Sequence, residues 1–463
     1  MKIILLIFFP LIIFSQDIGS YKFFISFSDK GTYSTSDYQL SDLVSQKAIE
    51  RRMKQSIDIQ YSDLPVYTDY KNSISDNGYD IIYDSKWLNG VLCSSKENNI
   101  SNIISLPFVQ KIDSFGFFSE NIDQGVRQYN KFEELSQNYG DGYNQINMIQ
   151  GEELHKLGYE GQGIDIAVLD AGFRNAIYID GLKHLFENNQ LLGTWDYVDN
   201  ELSVYEDNYH GMSVLSTMAS FLKNQFVGVS SKANYWLLRT EDSNLENLIE
   251  EYNWLIAAEF CDSVGVDIIN SSLGYTTFDL DYQNHTYSDL DGFTTVISKA
   301  ATIAARKGMI VCNSAGNSGN SSWYYISAPA DADSIISVGS VNQNRQISSF
   351  TSRGPSADGR LKPTVSAQGS NTTIYNPNNT INTSNGTSFS SPIIAGMTAC
   401  LWQANYDKSA QEIISAIVES SHLYNNPNFD IGNGIPNFSV ANALLNLEDN
   451  ITPLLEVYPN PRF

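Results

Sequence analysis

Three side chains that together can attack a carbonyl stand in this chain in the order Asp170, His210, Ser388. Ser388 lies in Asn385-Gly386-Thr387-Ser388-Phe389-Ser390-Ser391-Pro392, and the apolar run Ile393-Ile394-Ala395-Gly396-Met397 follows at once. That pattern puts a hydroxyl at the start of a buried helix, where unpaired N–H groups and the positive end of the helix dipole can receive a developing oxyanion. Pro392 is expected in the first turn, where its missing N–H is harmless. A serine hydroxyl needs a base, and histidine is the usual one. Of the five histidines (His155, His184, His210, His285 and His422), His210 has the telling context, Asn208-Tyr209-His210-Gly211-Met212-Ser213-Val214-Leu215. It would open a helix with Val214, Leu215 and Met218 facing inward. Asp170 closes the apolar run from Gly163 and precedes Ala171-Gly172. A carboxylate at the carboxyl end of a buried strand needs a partner. Here it can hold the imidazole's tautomer and stabilise the imidazolium.

A fourth stretch, Met309-Ile310-Val311-Cys312-Asn313-Ser314-Ala315-Gly316-Asn317, reads as a strand entering a tight turn, from which Asn317 can aim its amide at an oxyanion beside the Ser388 N–H. These four motifs, in this order, resemble those of the subtilisin-like serine proteases, the subtilases. The histidine motif departs in one place, with Met212 where the family pattern His-Gly-Thr-x-Val has threonine. The resemblance implies a serine endopeptidase with Asp170, His210 and Ser388 catalytic and Asn317 as oxyanion donor. It also implies that Ser272, Leu273 and Gly274 pair with extended substrate backbone. Ala315 and Gly316 then form the facing wall of the primary specificity pocket, with a floor near Ser327-Ala328-Pro329. No Gly-x-Ser-x-Gly elbow supports the α/β-hydrolase alternative. Two rival readings remain: a catalytically silent subtilase-like binding protein plugged by its N-terminal domain, and an esterase using the same triad.

The elements that must position these residues follow from patterning. Apolar strand-like runs at Ile164–Leu169, Val266–Ser271, Met309–Asn313 and Ile335–Gly339 alternate with helical stretches such as Leu245–Asp262 and Phe293–Lys307. Strands buried on both faces and separated by helices indicate an α/β fold, a mostly parallel sheet flanked by helices, here over residues 144–446. Ligands in such sheets bind beyond the strands' carboxyl ends. Before it, residues 17–114 read as β-α-β-β-α-β, a small α+β ferredoxin-like unit. The strands are expected at Tyr21–Phe27, within Tyr79–Val91 and at Phe108–Ile112, the helices at Leu40–Lys54 and Asn99–Leu106. Lys47–Arg52, Asp63-Leu64-Pro65-Val66 and Ser85-Lys86-Trp87-Leu88-Asn89 resemble propeptides of secreted Bacteroidetes subtilases, which implies a folding aid that then blocks the active site. Residues 115–143 are polar and weakly patterned, an expected linker.

Met1-Lys2 followed by apolar Ile3–Phe14 reads as a secretory signal peptide over residues 1–16, too short to span a bilayer. No later segment is apolar enough to span one, so a soluble protein outside the cytoplasm is expected. The tail, 447–463, contains Val457-Tyr458-Pro459-Asn460-Pro461, which resembles the opening of a type IX secretion sorting domain; an unstructured tail is the alternative. A formal net charge of −24 excludes nucleic acid as a natural partner. Protein or peptide substrates and the chain's own propeptide are the partners this reading implies. The four cysteines read as buried free thiols, and none has metal-site spacing. No cofactor is required for the chemistry. The resemblance admits structural calcium, but no ligand spacing in acidic loops such as Asp279–Asp291 assigns a site.

Overall fold

The computed structural model describes residues 19–119 and 139–448. The signal peptide, most of the expected linker and the tail beyond Glu448 lie outside the described residues.

The N-terminal unit has strands β1 (Gly19–Phe27), β2 (Asp80–Ser85), β3 (Gly90–Ser95) and β4 (Val109–Ser119) in one antiparallel sheet of order β2-β3-β1-β4. That is the ferredoxin-like arrangement the pattern predicts. The single helix expected from Leu40 to Lys54 is two, α1 (Leu40–Leu43) and α2 (Gln46–Lys54). The break falls at Ser45, whose hydroxyl caps α2 by accepting from Ala48 N at 3.3 Å. Helix α3 (Thr68–Asp76) went unforeseen because its sequence is largely polar and buries only Ile74 fully. The helix expected at Asn99–Leu106 shrinks to Ser101–Ile104. Strand β4 runs on to Ser119, paired with β1 as far as Gly19, so residues 115–119 belong to the sheet and not to a linker. The aromatics Phe115, Phe117 and Phe118 carry that extension.

The second unit is built on seven parallel strands: β5 (Asp165–Asp170), β6 (Leu191–Asp196), β7 (Asn234–Arg239), β8 (Ile268–Ser271), β9 (Ile310–Ser314), β10 (Ile336–Val341) and β11 (Val365–Gln368). Their order is β11-β10-β9-β8-β5-β7-β6, with β5 near the middle. Every residue of β5 is buried. Ile166 and Val168 pack on one side, with helices α4 (His210–Ala219) and α7 (Thr387–Ala404); Ala167 and Leu169 pack on the other, with α5 (Ile249–Val264) and α6 (Val296–Arg306). Each large apolar side chain fully buried this way contributes roughly 1.5–3 kcal/mol. All four cysteines are buried and free.

The two units pack against each other. Phe24, Trp87, Leu92 and Phe115 of the first share a core with α5 of the second. A buried ionic network reinforces the contact. Asp262 on α5 takes Arg51 at 2.5 Å and Arg52 at 2.6 Å, while Asp63 takes Arg52 at 2.8 Å and Lys307 at 2.9 Å. Burial pushes the Asp63 carboxyl up, but these cations hold it at about 2.

Candidate active site

All the sequence-predicted site residues sit at the carboxyl edge of the parallel sheet. Asp170 is the last residue of β5, at the centre of the sheet, and is fully buried. His210 is the first residue of α4, reached from the loop after β6. Its Nδ1 lies 2.7 Å from Asp170 Oδ1, which also accepts from Ala171 N at 2.8 Å. Gly211 makes that approach possible, since a Cβ there would stand 2.8 Å from Asp170 Cβ. Asp170 Oδ2 is buried with no hydrogen-bond partner. Burial lowers the His210 pKa, but the charge and hydrogen bond of Asp170 outweigh it and raise it to about 9. The imidazole is 33% exposed, so water screens part of that pull.

Ser388 is the second residue of α7 and is buried. Its N-cap, Gly386, has φ +154°, a conformation that favours glycine and turns the chain sharply into the helix. Phe389 beside it places its ring 6.0 Å from that of His210. The Ser388 hydroxyl donates to the Ser272 carbonyl at 3.3 Å rather than to His210. Reaching the imidazole takes a rotation of that side chain. Pro392 is the sixth residue of α7, not part of its first turn as expected. Lacking an N–H, it leaves the Ser388 carbonyl without the usual helical donor, and Ser272 Oγ donates to that oxygen at 2.8 Å instead.

Asn317 lies three residues past β9. Its side-chain oxygen accepts from Thr387 N at 2.9 Å and Thr387 Oγ1 at 3.1 Å. With the oxygen so engaged, the Asn317 NH₂ is the group left to face the Ser388 side. Thr387 Oγ1 in turn accepts from Gly316 N at 3.2 Å. Sequence reasoning missed Thr387, although its place between Gly386 and Ser388 was the signal available. Ser272–Gly274 leave β8 opposite Ala315–Gly316: a Cβ on either Gly274 or Gly316 would meet Ser327 Oγ within 3 Å. The two expected walls and the expected floor therefore converge. Met212 is buried inside α4's packing face, so the departure from the family pattern falls in the core.

Among the described residues, one carboxylate trio has metal-ligand spacing, Asp196, Asp199 and Asp207. Arg239 reaches all three, at 2.7, 2.6 and 3.2 Å, and stands where a cation would. In the loop from Asp279 to Asp291, Asp289 caps Thr286 and Asp291 caps Phe293 and Thr294, local turn bonds that account for those carboxylates.

The subtilase family model matches residues 161–434. The chain belongs to the subtilase family. A second model, the peptidase S8 propeptide domain of Bacteroidota, matches residues 22–131. Subtilisin amylosacchariticus from Bacillus subtilis subsp. amylosacchariticus is 28% identical over 80% of this chain and 85% of its own length. Subtilisin from Bacillus pumilus is 29% identical over 64% of this chain and 97% of its own. Serine protease AprX from Bacillus subtilis is 29% identical over 55% and 60%. A crystal structure of MycP1 with its N-terminal propeptide removed superposes at a TM-score of 0.48, with 20% identity, over 65% of this chain and 96% of that one. The unit from Gly19 to Ser119 is thus a subtilase propeptide domain packed on its subtilase domain. No described helix is long and apolar enough to cross a membrane.

Proposed function

We propose that this protein is a secreted serine endopeptidase made as a precursor, with its propeptide as an intramolecular inhibitor. The observation that carries the reading is the 2.7 Å contact of buried Asp170 with His210 at the same sheet edge as Ser388. Ser388 Oγ attacks the peptide carbonyl while His210 Nε2 takes its proton, and Asp170 holds the other ring nitrogen. The carbonyl oxygen becomes an oxyanion held by the Ser388 N–H and the Asn317 NH₂. The C–N bond then breaks, the leaving amine takes the proton from His210, and an acyl-enzyme remains. Water, deprotonated by His210, opens the ester and restores Ser388.

Nucleophile, base and oxyanion donors are all protein groups, so no cofactor is needed for this sequence of steps. A calcium ion could serve structure alone, and Arg239 already neutralises the one cation-like trio among the described residues. The apolar start of the chain supports secretion, and the Val457–Pro461 stretch supports a type IX route.

Fluorophosphonate labelling of purified protein, mapped by mass spectrometry, tests the reading. A label on Ser388 that disappears in His210→Ala is the expected outcome. Absence of label on folded, propeptide-free protein would establish the silent binding-protein alternative.

A further inference from the structure

The end of strand β7 reaches both the acid and the base of the candidate triad. Its last residue, Arg239, lies in register with Asp170, and the next, Thr240, donates its N–H to the Asp170 carbonyl at 2.9 Å. The Arg239 guanidinium is buried and joins the two ends of the loop that leads from β6 to His210. Its Nη1 lies 2.7 Å from Asp196 Oδ2, at the last residue of β6, and 2.6 Å from Asp199 Oδ2. It also lies 3.2 Å from Oδ2 of Asp207, close before His210 in the chain. The reaction above uses none of these contacts.

Both ends of the loop are tied to the sheet edge. Asp196 Oδ1 accepts from Val198 N at 2.8 Å and Asp199 N at 3.0 Å, which turns the chain out of β6. At the far end Asp207 adjoins Asn208, whose Oδ1 accepts from His210 N at 2.9 Å. The Asn208 carbonyl accepts from Arg174 N at 2.9 Å. The same backbone lies so close to Gly172 that a Cβ there would meet Asn208 O at 2.8 Å. Moving Asp207 therefore moves the residue that holds His210 N and abuts the segment after Asp170. Apolar burial gives the loop few other anchors, since between 197 and 207 only Tyr197 and Val204 are buried.

Stability alone is a weak account of this arginine. Burial works against its charge, though Asp196 and Asp207 more than offset that, and its Nε is buried with no hydrogen-bond partner. Replacing such a buried ionic group by apolar side chains is often neutral for stability. What the guanidinium does that an apolar group cannot is fix several carboxylates at set distances around one planar donor group. In the precursor the propeptide adds a second hold on the loop, as the Tyr83 hydroxyl donates to Asn200 Oδ1 at 2.7 Å. Once the propeptide is gone, that bond is lost and Arg239 remains.

We propose that Arg239 is a positioning residue for the triad, holding Asp207 and through it keeping His210 within hydrogen-bond reach of Asp170. The proposal rests on the endopeptidase reading. It is tested on self-processed enzyme whose reactive serines are counted with a fluorophosphonate, so that kcat is expressed per labelled site. The variants are Arg239→Met, Arg239→Lys, Asp207→Asn and the double Arg239→Met with Asp207→Asn. Arg239→Met is expected to lower kcat by about 10–10²-fold with KM unchanged, because the guanidinium orients the base and does not touch the substrate. Arg239→Lys should recover part of that loss, and Asp207→Asn should show a smaller loss of the same kind. The double variant should be no worse than Arg239→Met, since the two residues act as one unit. Parental kcat per labelled site in Arg239→Met, with the damage confined to Tm or to the yield of labelled enzyme, overturns the inference and leaves the protease reading standing. Where Arg239→Met does not fold, parental kcat in both Arg239→Lys and Asp207→Asn overturns it equally. No turnover of any peptide and no label on the parent enzyme overturns the protease reading, and this inference with it.

Discussion

Ser272 Oγ donates to the carbonyl of Ser388 at 2.8 Å, and the Ser388 hydroxyl donates back to the carbonyl of Ser272 at 3.3 Å. The first bond exists because Pro392, four residues on, cannot supply the helical N–H. Ser272→Ala should leave a buried carbonyl unpaired beside the nucleophile and destabilise the protein by about 1–3 kcal/mol. Calorimetry reads this as a loss of several degrees in Tm. Adding Pro392→Ala restores a donor to the same oxygen, so the double variant should recover much of the loss. A Ser272→Ala protein as stable as its parent, or a double variant that is worse, refutes the brace.

Asn317 is oriented by Thr387, through bonds of 2.9 and 3.1 Å to its side-chain oxygen. Asn317→Ala is expected to lower kcat by about 10²–10³-fold with little change in KM, since the lost donor acts on the oxyanion. Thr387→Val keeps the backbone bond and removes the hydroxyl one, so its loss of kcat should be smaller. Steady-state kinetics on one peptide series decides it; a rise in KM for Asn317→Ala with kcat unchanged would assign Asn317 to ground-state binding instead.

The pH profile follows from His210. Burial works against its charged form, but Asp170 and then Glu241 raise its pKa to about 9. Partial exposure of the ring screens some of that rise. The base must be neutral, so kcat/KM should climb with pH through a midpoint above the ordinary 6.5 and towards 9. The stabilising His210–Asp170 charge pair behaves oppositely: it is fully present below 6.5 and is lost as pH rises through the raised value. Glu241→Gln removes one anion and should move the acid limb to lower pH, whereas Asp170→Asn should move it further and lower kcat by about 10⁴-fold. A midpoint at or below 6.5 in the parent enzyme contradicts this assignment.

How legible this was in the sequence depended on how locally each feature is encoded. Strands such as Ile164–Leu169 and Met309–Asn313 announced themselves because both faces are buried and the whole run is apolar. Edge strand β6 was missed: five of its six residues are only partly buried or exposed, so no run or alternation marks it. Asp170, His210, Ser388 and Asn317 stood out because each sits just where a strand ends or a helix begins, within two residues of a glycine. The Ser272 brace and the Thr387 clamp did not. They join residues 116 and 70 positions apart, and only the packed chain brings those together. Pro392 was misplaced because a proline near a helix start reads as first-turn chemistry, and the substitute donor that tolerates it comes from another strand.

The propeptide contact makes a separate expectation about folding. Asp262 holds two buried guanidinium groups, Arg51 at 2.5 Å and Arg52 at 2.6 Å, and Arg52 also keeps Asp63. Removing one partner of such a network strands buried charge and typically costs about 3–5 kcal/mol. Asp262→Ala, made in the Ser388→Ala precursor so that the propeptide stays attached, should therefore lower Tm by several degrees and loosen hydrogen exchange in α2. In the processed enzyme the arginines are gone and Asp262 faces water, so the same substitution should change stability by no more than about 0.5 kcal/mol. Acid should weaken the precursor contact in the same way. Asp63 is held at about 2 against an ordinary 3.8, so its share is present above pH 3.8 and is lost as pH falls through 2. Equal losses in precursor and processed enzyme would show that Asp262 serves the catalytic domain itself and not its union with the propeptide.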